Sequence, residues 1–145
     1  MKKLFTKICI ASDHAGYDLK EEIKDYLIKK SISVIDLGPF SKDSVDYPDY
    51  AKKVAKRLIL RKSDAGILVC GSGTGMAITA NKFKGIRAAQ CYNKVSTILS
   101  RQHNNSNIIC LGSRLLKYKE AFKYVTYFLN TKFESGRHQK RISKI

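Results

Sequence analysis

The chain has 145 residues, 43% of them apolar and 10% aromatic, which suits one compact domain with its own core and argues against wholesale disorder. No apolar run approaches the roughly 20 residues needed to span a bilayer, and the basic start, Met1-Lys2-Lys3-Leu4-Phe5-Thr6-Lys7, meets Asp13 and His14 before a signal core can build, so a cytoplasmic protein is expected. The formal charge of +16 invites a nucleic-acid reading, but the lysines are spread over most segments without a recognisable nucleic-acid motif, so a solvated basic surface and no specific nucleic acid are expected.

Residues 7–12 read as a short buried strand. Residues 15–30 follow with Leu19, Ile23, Tyr26 and Leu27 at helical spacing. Residues 32–37 are β-branched and strand-like. Gly38-Pro39 opens a loop that runs to Tyr47-Pro48. A second helix is expected over 48–61, with Tyr50, Val54, Leu58 and Leu60 inward. Residues 65–70 make a third strand, 74–83 a third helix and 86–90 a fourth strand. A helix over 93–103 leads to a fifth strand over 107–111. An amphipathic helix over 118–131 runs through Tyr118, Phe122, Val125, Phe128 and Leu129. The alternation carries no composition break and no internal repeat. It predicts an α/β fold: a three-layer αβα sandwich with a five-stranded parallel, Rossmann-like sheet and a C-terminal basic helix, in a single domain over 1–145.

Open parallel sheets bind ligands beyond the carboxyl ends of their strands. Those ends carry Ser12-Asp13-His14, Cys70-Gly71-Ser72, Cys91-Tyr92-Asn93 and Gly112-Ser113-Arg114. The third is followed by Gly71, Gly73 and Gly75 at alternate positions. A P-loop is excluded, because Gly75 precedes Met76 instead of Lys-Ser/Thr. A dinucleotide fingerprint fails because its third glycine is missing. What remains is a tight turn whose main-chain N–H groups converge beside a thiol. Such a turn suits an anion, or a charge that develops in reaction, and a thiolate beside it can attack a carbonyl or remove a proton next to one. The bland alternative is a buried thiol at a strand–helix junction. Cys9, Cys91 and Cys110 read as small buried hydrophobes. The cysteines form no CxxC pair and the histidines no HExxH spacing, so no metal site is expected. Arg137 and Arg141, at i,i+4, share a helix face suited to phosphate.

The ordered stretches SDHAG (12–16), DYPDYA (46–51), CGSGTG (70–75), ANKFKGIRAA (80–89), SRQHNNSN (100–107), GSR (112–114) and GRHQKR (136–141) resemble the type B ribose-5-phosphate isomerase family. The likeness runs from about residue 7 to 141. The wider superfamily includes galactose-6-phosphate and allose-6-phosphate isomerases. The resemblance implies interconversion of ribose 5-phosphate and ribulose 5-phosphate through a cis-enediolate, with no cofactor and no metal. It implies Cys70 as the base at C2, Ser72 as the hydroxyl that moves a proton between oxygens, and His103 as the acid of ring opening. Asp13 falls at the ring-oxygen end. The main chain of Gly71, Gly73, Thr74 and Gly75 becomes the enediolate's anion hole, and Tyr47 and Asn104 become substrate contacts. His14, Arg114, Arg137, His138 and Arg141 form the phosphate- and sugar-binding set. Met76 stands where one branch of the family, lacking the cysteine, carries glutamate, which places this chain in the cysteine branch. A homodimer with an active site shared between subunits is also implied, with pairing into tetramers left open. Two alternatives stay open at this point: an isomerase of a six-carbon sugar phosphate, and a non-catalytic nucleotide or nucleic-acid binding module.

Overall fold

The computed structural model describes residues 3–145; Met1 and Lys2, the start of the basic N-terminal stretch, lie outside the described residues. Five strands, β1 (Ile8–Ser12), β2 (Val34–Asp36), β3 (Ala65–Cys70), β4 (Ala88–Gln90) and β5 (Ile108–Gly112), alternate with α1 (Tyr17–Lys29), α2 (Tyr47–Ile59), α3 (Thr74–Ala80) and α4 (Lys94–Asn104). Two further helices close the chain, α5 (Tyr118–Asn130) and the basic α6 (Arg137–Ile142). All strand pairs are parallel and the order is β2-β1-β3-β5-β4. The chain therefore reverses its direction of travel across the sheet between β1 and β3, and a ligand crevice is expected outside their carboxyl ends.

β1, β3 and β5 are buried throughout, as strands covered on both faces must be. One face packs Leu19, Ile23 and Leu27 of α1 with Ala121, Val125 and Phe128 of α5. The other packs Ala51, Val54 and Leu58 of α2 with Met76 and Ala80 of α3. Each large apolar side chain so buried contributes about 1.5–3 kcal/mol. The register sets Gly66 beside Ile108 at the amino end and Cys70 beside Gly112 at the carboxyl end.

Two details differ from the sequence reading and a third goes beyond it. Leu60 is 65% exposed, because α2 stops at Ile59 and Arg61 takes φ +56, which turns the chain away from the core. Tyr118 is exposed in the first turn of α5, and the inward stripe begins instead at Ala121 and Tyr124. Lys20, on which the helical spacing makes no statement, is fully buried. Its ammonium reaches Asp36 at 2.8 Å, Glu21 at 3.0 Å and the Pro39 carbonyl at 2.9 Å. Asp36 in turn accepts the Gly38 N–H at 2.8 Å, so one buried cation ties α1 to the loop that leads to Tyr47.

Candidate active site

At the carboxyl end of β3 the chain turns sharply. Gly73 takes φ +81, a left-handed conformation open to glycine at little cost, and this aims its N–H at the Cys70 sulfur, 3.1 Å away. Next to it the Thr74 N–H donates to Ser72 Oγ at 3.3 Å. Gln90, at the end of β4, donates to the Ser72 carbonyl and to Thr74 Oγ1, both at 2.8 Å, and so props the turn from the far side. Gly75 is needed for a different reason: a Cβ there would lie 2.6 Å from the Tyr47 ring. α3 has only seven residues, so the fixed donors of the turn matter more than any long-range helix field.

The turn borders a cleft of about 450 Å³ lined by Asp13, Tyr47, Cys70, Gly71, Ser72, Gly75, Arg114 and Leu115. Cys70 is only 4% exposed, yet it is on the wall of this cleft and not inside the hydrocarbon core alone. Asp13 Oδ1 accepts the Gly16 N–H at 2.9 Å, which fixes one carboxylate oxygen and leaves the other. His14 Nδ1 lies 3.1 Å from the Val45 carbonyl oxygen and 3.2 Å from its N–H, so either tautomer finds a partner. That contact anchors the loop two residues before Tyr47. The Arg114 N–H donates to the Gly71 carbonyl at 3.0 Å, and its guanidinium lies against Gly71.

The other three thiols behave as the sequence suggested. Burial pushes Cys9 up to about 11, with Ser63 and Arg57 pulling only weakly the other way. Burial likewise raises Cys91 and Cys110. They are inert small hydrophobes near neutral pH.

The remaining site residues are elsewhere. α4 starts beyond the carboxyl end of β4 and delivers His103 and Asn104 to the amino end of β5. At about 3.3 Å per residue, β5 alone puts roughly 13 Å between that end and Cys70. His138, on α6, stacks on His103 with ring centroids 4.2 Å apart. Arg137 and Arg141 are exposed on the same short helix. The expected set is therefore split in one chain: Asp13, His14, Tyr47, Cys70 to Gly75 and Arg114 at the carboxyl end of the strands, and His103, Asn104, Arg137, His138 and Arg141 towards the amino end.

Sequence reasoning passed over the groups that hold the second half in place. Arg87 donates to the Asn104 carbonyl at 3.0 Å and to that of Asn105 at 3.1 and 3.0 Å. Arg101, buried between Phe5 and Phe128, donates to Thr131 and Ser106 carbonyls. Arg87 satisfies carbonyls at the α4 terminus, whose orphan acceptors need donors, and Arg101 ties the segment after it to the C-cap of α5. Neither spacing nor composition marks them. The spacing test for metal ligands also missed a group assembled in space, His103, Glu134 and His138, whose ligand atoms lie within 4.8 Å of one another. Burial, helped by His103 and Arg137, pushes the His138 imidazole below its ordinary value, while Glu134 opposes.

A thiol held by the Gly73 N–H at the switch point of a doubly wound sheet, in a cleft of small-molecule size, defines an α/β enzyme acting on a small polar substrate. The chain belongs to the ribose/galactose isomerase family, whose model matches residues 8–145. It is 44% identical over 139 residues to ribose-5-phosphate isomerase B of Escherichia coli K12, covering 96% of this chain and 93% of that one. It is 49% identical to a putative sugar phosphate isomerase of Rickettsia bellii over 95% of this chain and 96% of the relative. Among solved structures, ribose 5-phosphate isomerase of Thermotoga maritima superposes with a TM-score of 0.94 at 52% identity, covering 96% of each chain. Ribose-5-phosphate isomerase B of Mycoplasma genitalium, solved with bound ribulose-5-phosphate, superposes with a TM-score of 0.90 at 46% identity, covering 95% and 92%.

Proposed function

We infer that the chain is a single-domain aldose–ketose isomerase that interconverts ribose 5-phosphate and ribulose 5-phosphate. The observation that carries this reading is the Cys70 sulfur, seated on the Gly73 N–H at 3.1 Å in a cleft shared with Asp13, Tyr47 and Ser72. The ribulose-5-phosphate bound by the Mycoplasma genitalium relative supports a pentose phosphate over a six-carbon substrate.

In the open-chain aldose, the Cys70 thiolate removes the proton on C2, and the electron pair shifts to give a cis-enediolate with its charge on O1. The Ser72 hydroxyl passes the proton of O2 to O1. The sulfur then returns its proton to C1, leaving a ketone at C2 and a hydroxymethyl group at C1, so no proton is gained or lost overall. The main-chain N–H groups of the Gly71–Gly75 turn stabilise the enediolate oxygens, and losing one such donor costs about 2.7–4 kcal/mol of barrier. Asp13 offers its free oxygen to a sugar hydroxyl. Ring opening needs an acid at the ring oxygen, a role for His103.

His103 is too far from Cys70 of its own chain for that role. We therefore place it in a homodimer, with His103 of the partner subunit at the ring oxygen and the partner's Arg137 and Arg141 at the phosphate, beside Arg114 and His14. The exposed apolar side chains of Tyr92, Val95 and Leu99 on and before α4, with Ile78 on α3, support pairing on this side. The test is a coupled assay with EDTA present, comparing ribose 5-phosphate, allose 6-phosphate and galactose 6-phosphate. Ribose 5-phosphate is expected to be turned over fastest. A faster six-carbon substrate would overturn the pentose assignment, and no turnover of any would overturn the isomerase reading.

A further inference from the structure

His103 closes the last turn of α4, His138 sits on α6, and Glu134 lies in the segment between α5 and α6. The Glu134 N–H donates to the Gln102 carbonyl at 3.0 Å, which fastens that segment to α4 beside His103. The two imidazoles stack within 10° of parallel, and His138 Nε2 is 3.8 Å from a Glu134 carboxylate oxygen. His138 is only 6% exposed, and its Nε2 is a buried polar atom with no hydrogen-bond partner. Native proteins rarely leave such an atom unsatisfied without a functional reason.

Two imidazoles and a carboxylate are the donor set of an open zinc site, with three protein ligands and a fourth position free. Bonds of about 2.0–2.1 Å to a tetrahedral ion need donor atoms roughly 3.3–3.5 Å apart. The ligand atoms here lie within 4.8 Å of one another. Stacked rings hold their nitrogen lone pairs parallel, so the half-buried His103 ring must turn out of the stack, and the exposed Glu134 carboxylate swing in, to converge on an ion beside a fixed His138. Arg137 and Arg141 oppose a cation nearby, but both are exposed, so water screens them, and Glu134 adds a charge of the right sign.

We propose that His103, Glu134 and His138 bind one Zn²⁺ per chain, and that the ion switches the enzyme off by withdrawing His103 from the sugar. Binding stands on the geometry alone; the inhibition rests on the isomerase reading. The ion takes no part in proton transfer at C2, which belongs to the Cys70 thiolate of the subunit that completes the shared site.

The experiment uses full-length protein stripped with EDTA and then freed of it. Calorimetric titration with ZnCl₂ is run on Cys70→Ser, which removes the competing thiol, and on Cys70→Ser with Glu134→Gln. One ion per chain is expected, with affinity at least about tenfold weaker when Glu134 is lost. Co²⁺ in place of Zn²⁺ should give the intense visible bands of a four-coordinate ion, weakened by the same substitution. No saturable binding to Cys70→Ser, or binding and spectra indifferent to Glu134→Gln, would overturn the site. In the wild type, Zn²⁺ should inhibit turnover and EDTA restore it, while Glu134→Gln keeps its basal rate and needs at least about tenfold more Zn²⁺ for the same inhibition. Saturated binding with full activity would overturn the switch. A wild type inactive before any Zn²⁺ is added would instead refute the isomerase reading, and the calorimetry would still decide the site.

Discussion

Removing the sulfur of Cys70 takes away the proposed base at C2 and leaves the main-chain cradle around it in place. Cys70→Ser and Cys70→Ala should lower kcat by at least about 10²–10⁴-fold, the usual worth of a general base, with the far-UV spectrum unchanged. Near-normal turnover in Cys70→Ala would remove the residue from the reaction. The same contrast predicts selective chemistry. Cys9, Cys91 and Cys110 are buried and raised by that burial, whereas Cys70 lines the open cleft. Iodoacetamide near neutral pH should modify Cys70 first, and mass mapping that finds another thiol ahead of it would contradict the placement.

Elements, rather than single residues, position the groups around that sulfur. Lys20 of α1 and Asp36 of β2 lock the loop that leads to Tyr47. Burial alone would raise the Asp36 carboxyl, but Lys20 and Lys24 beside it, with the Gly38 N–H, hold it below the usual carboxylate range. A carboxyl whose value falls on folding adds stability that is complete above its unfolded value of about 3.9 and is lost as pH drops through the lower folded value. Acid unfolding should therefore deepen below about pH 4, and Asp36→Asn should flatten that dependence. The substitution also leaves the buried Lys20 cation with only Glu21 and the Pro39 carbonyl, at a cost of up to about 3–5 kcal/mol in denaturant melts near pH 7. A melt unchanged by Asp36→Asn would show that the tie carries no weight. At the other end of the fold, α6 displays Arg137 and Arg141 on one side. Replacing both with Ala should raise KM by about 10–100-fold, as loss of charge-assisted hydrogen bonds would, and leave kcat close to normal. An unchanged KM would separate α6 from phosphate binding.

The whole molecule sets a geometry that no single residue or element can. Cys70 lies at the carboxyl end of the strands and His103 at the amino end, so in the proposed homodimer each site takes its sulfur from one subunit and its imidazole from the other. Mixing Cys70→Ser with His103→Asn, each inactive alone, should restore about a quarter of wild-type activity after subunit exchange. Half the dimers are then mixed, and each mixed dimer has one intact site. No recovery, with exchange verified by mass, would rule out a shared site.

The order of strands and helices, the buried thiols and the reactive turn after residue 70 were legible in the sequence because they are local. Hydrophobic period, glycine spacing and strand-end chemistry act over a few residues, and the family resemblance rested on the same short stretches. Leu60 and Tyr118 were misread because a helix end decides exposure through where the chain turns, which periodicity does not record. The burial of Lys20 left no mark in the sequence, since two of its partners, Asp36 and the Pro39 carbonyl, lie on β2 and in the loop after it. Only the tertiary structure decided the strand order, the stacking of His138 on His103, the approach of Glu134 to both, and the distance of that group from Cys70. Those depend on which faces pack and on how far a strand carries the chain, and such long-range geometry is set by burial of the whole core.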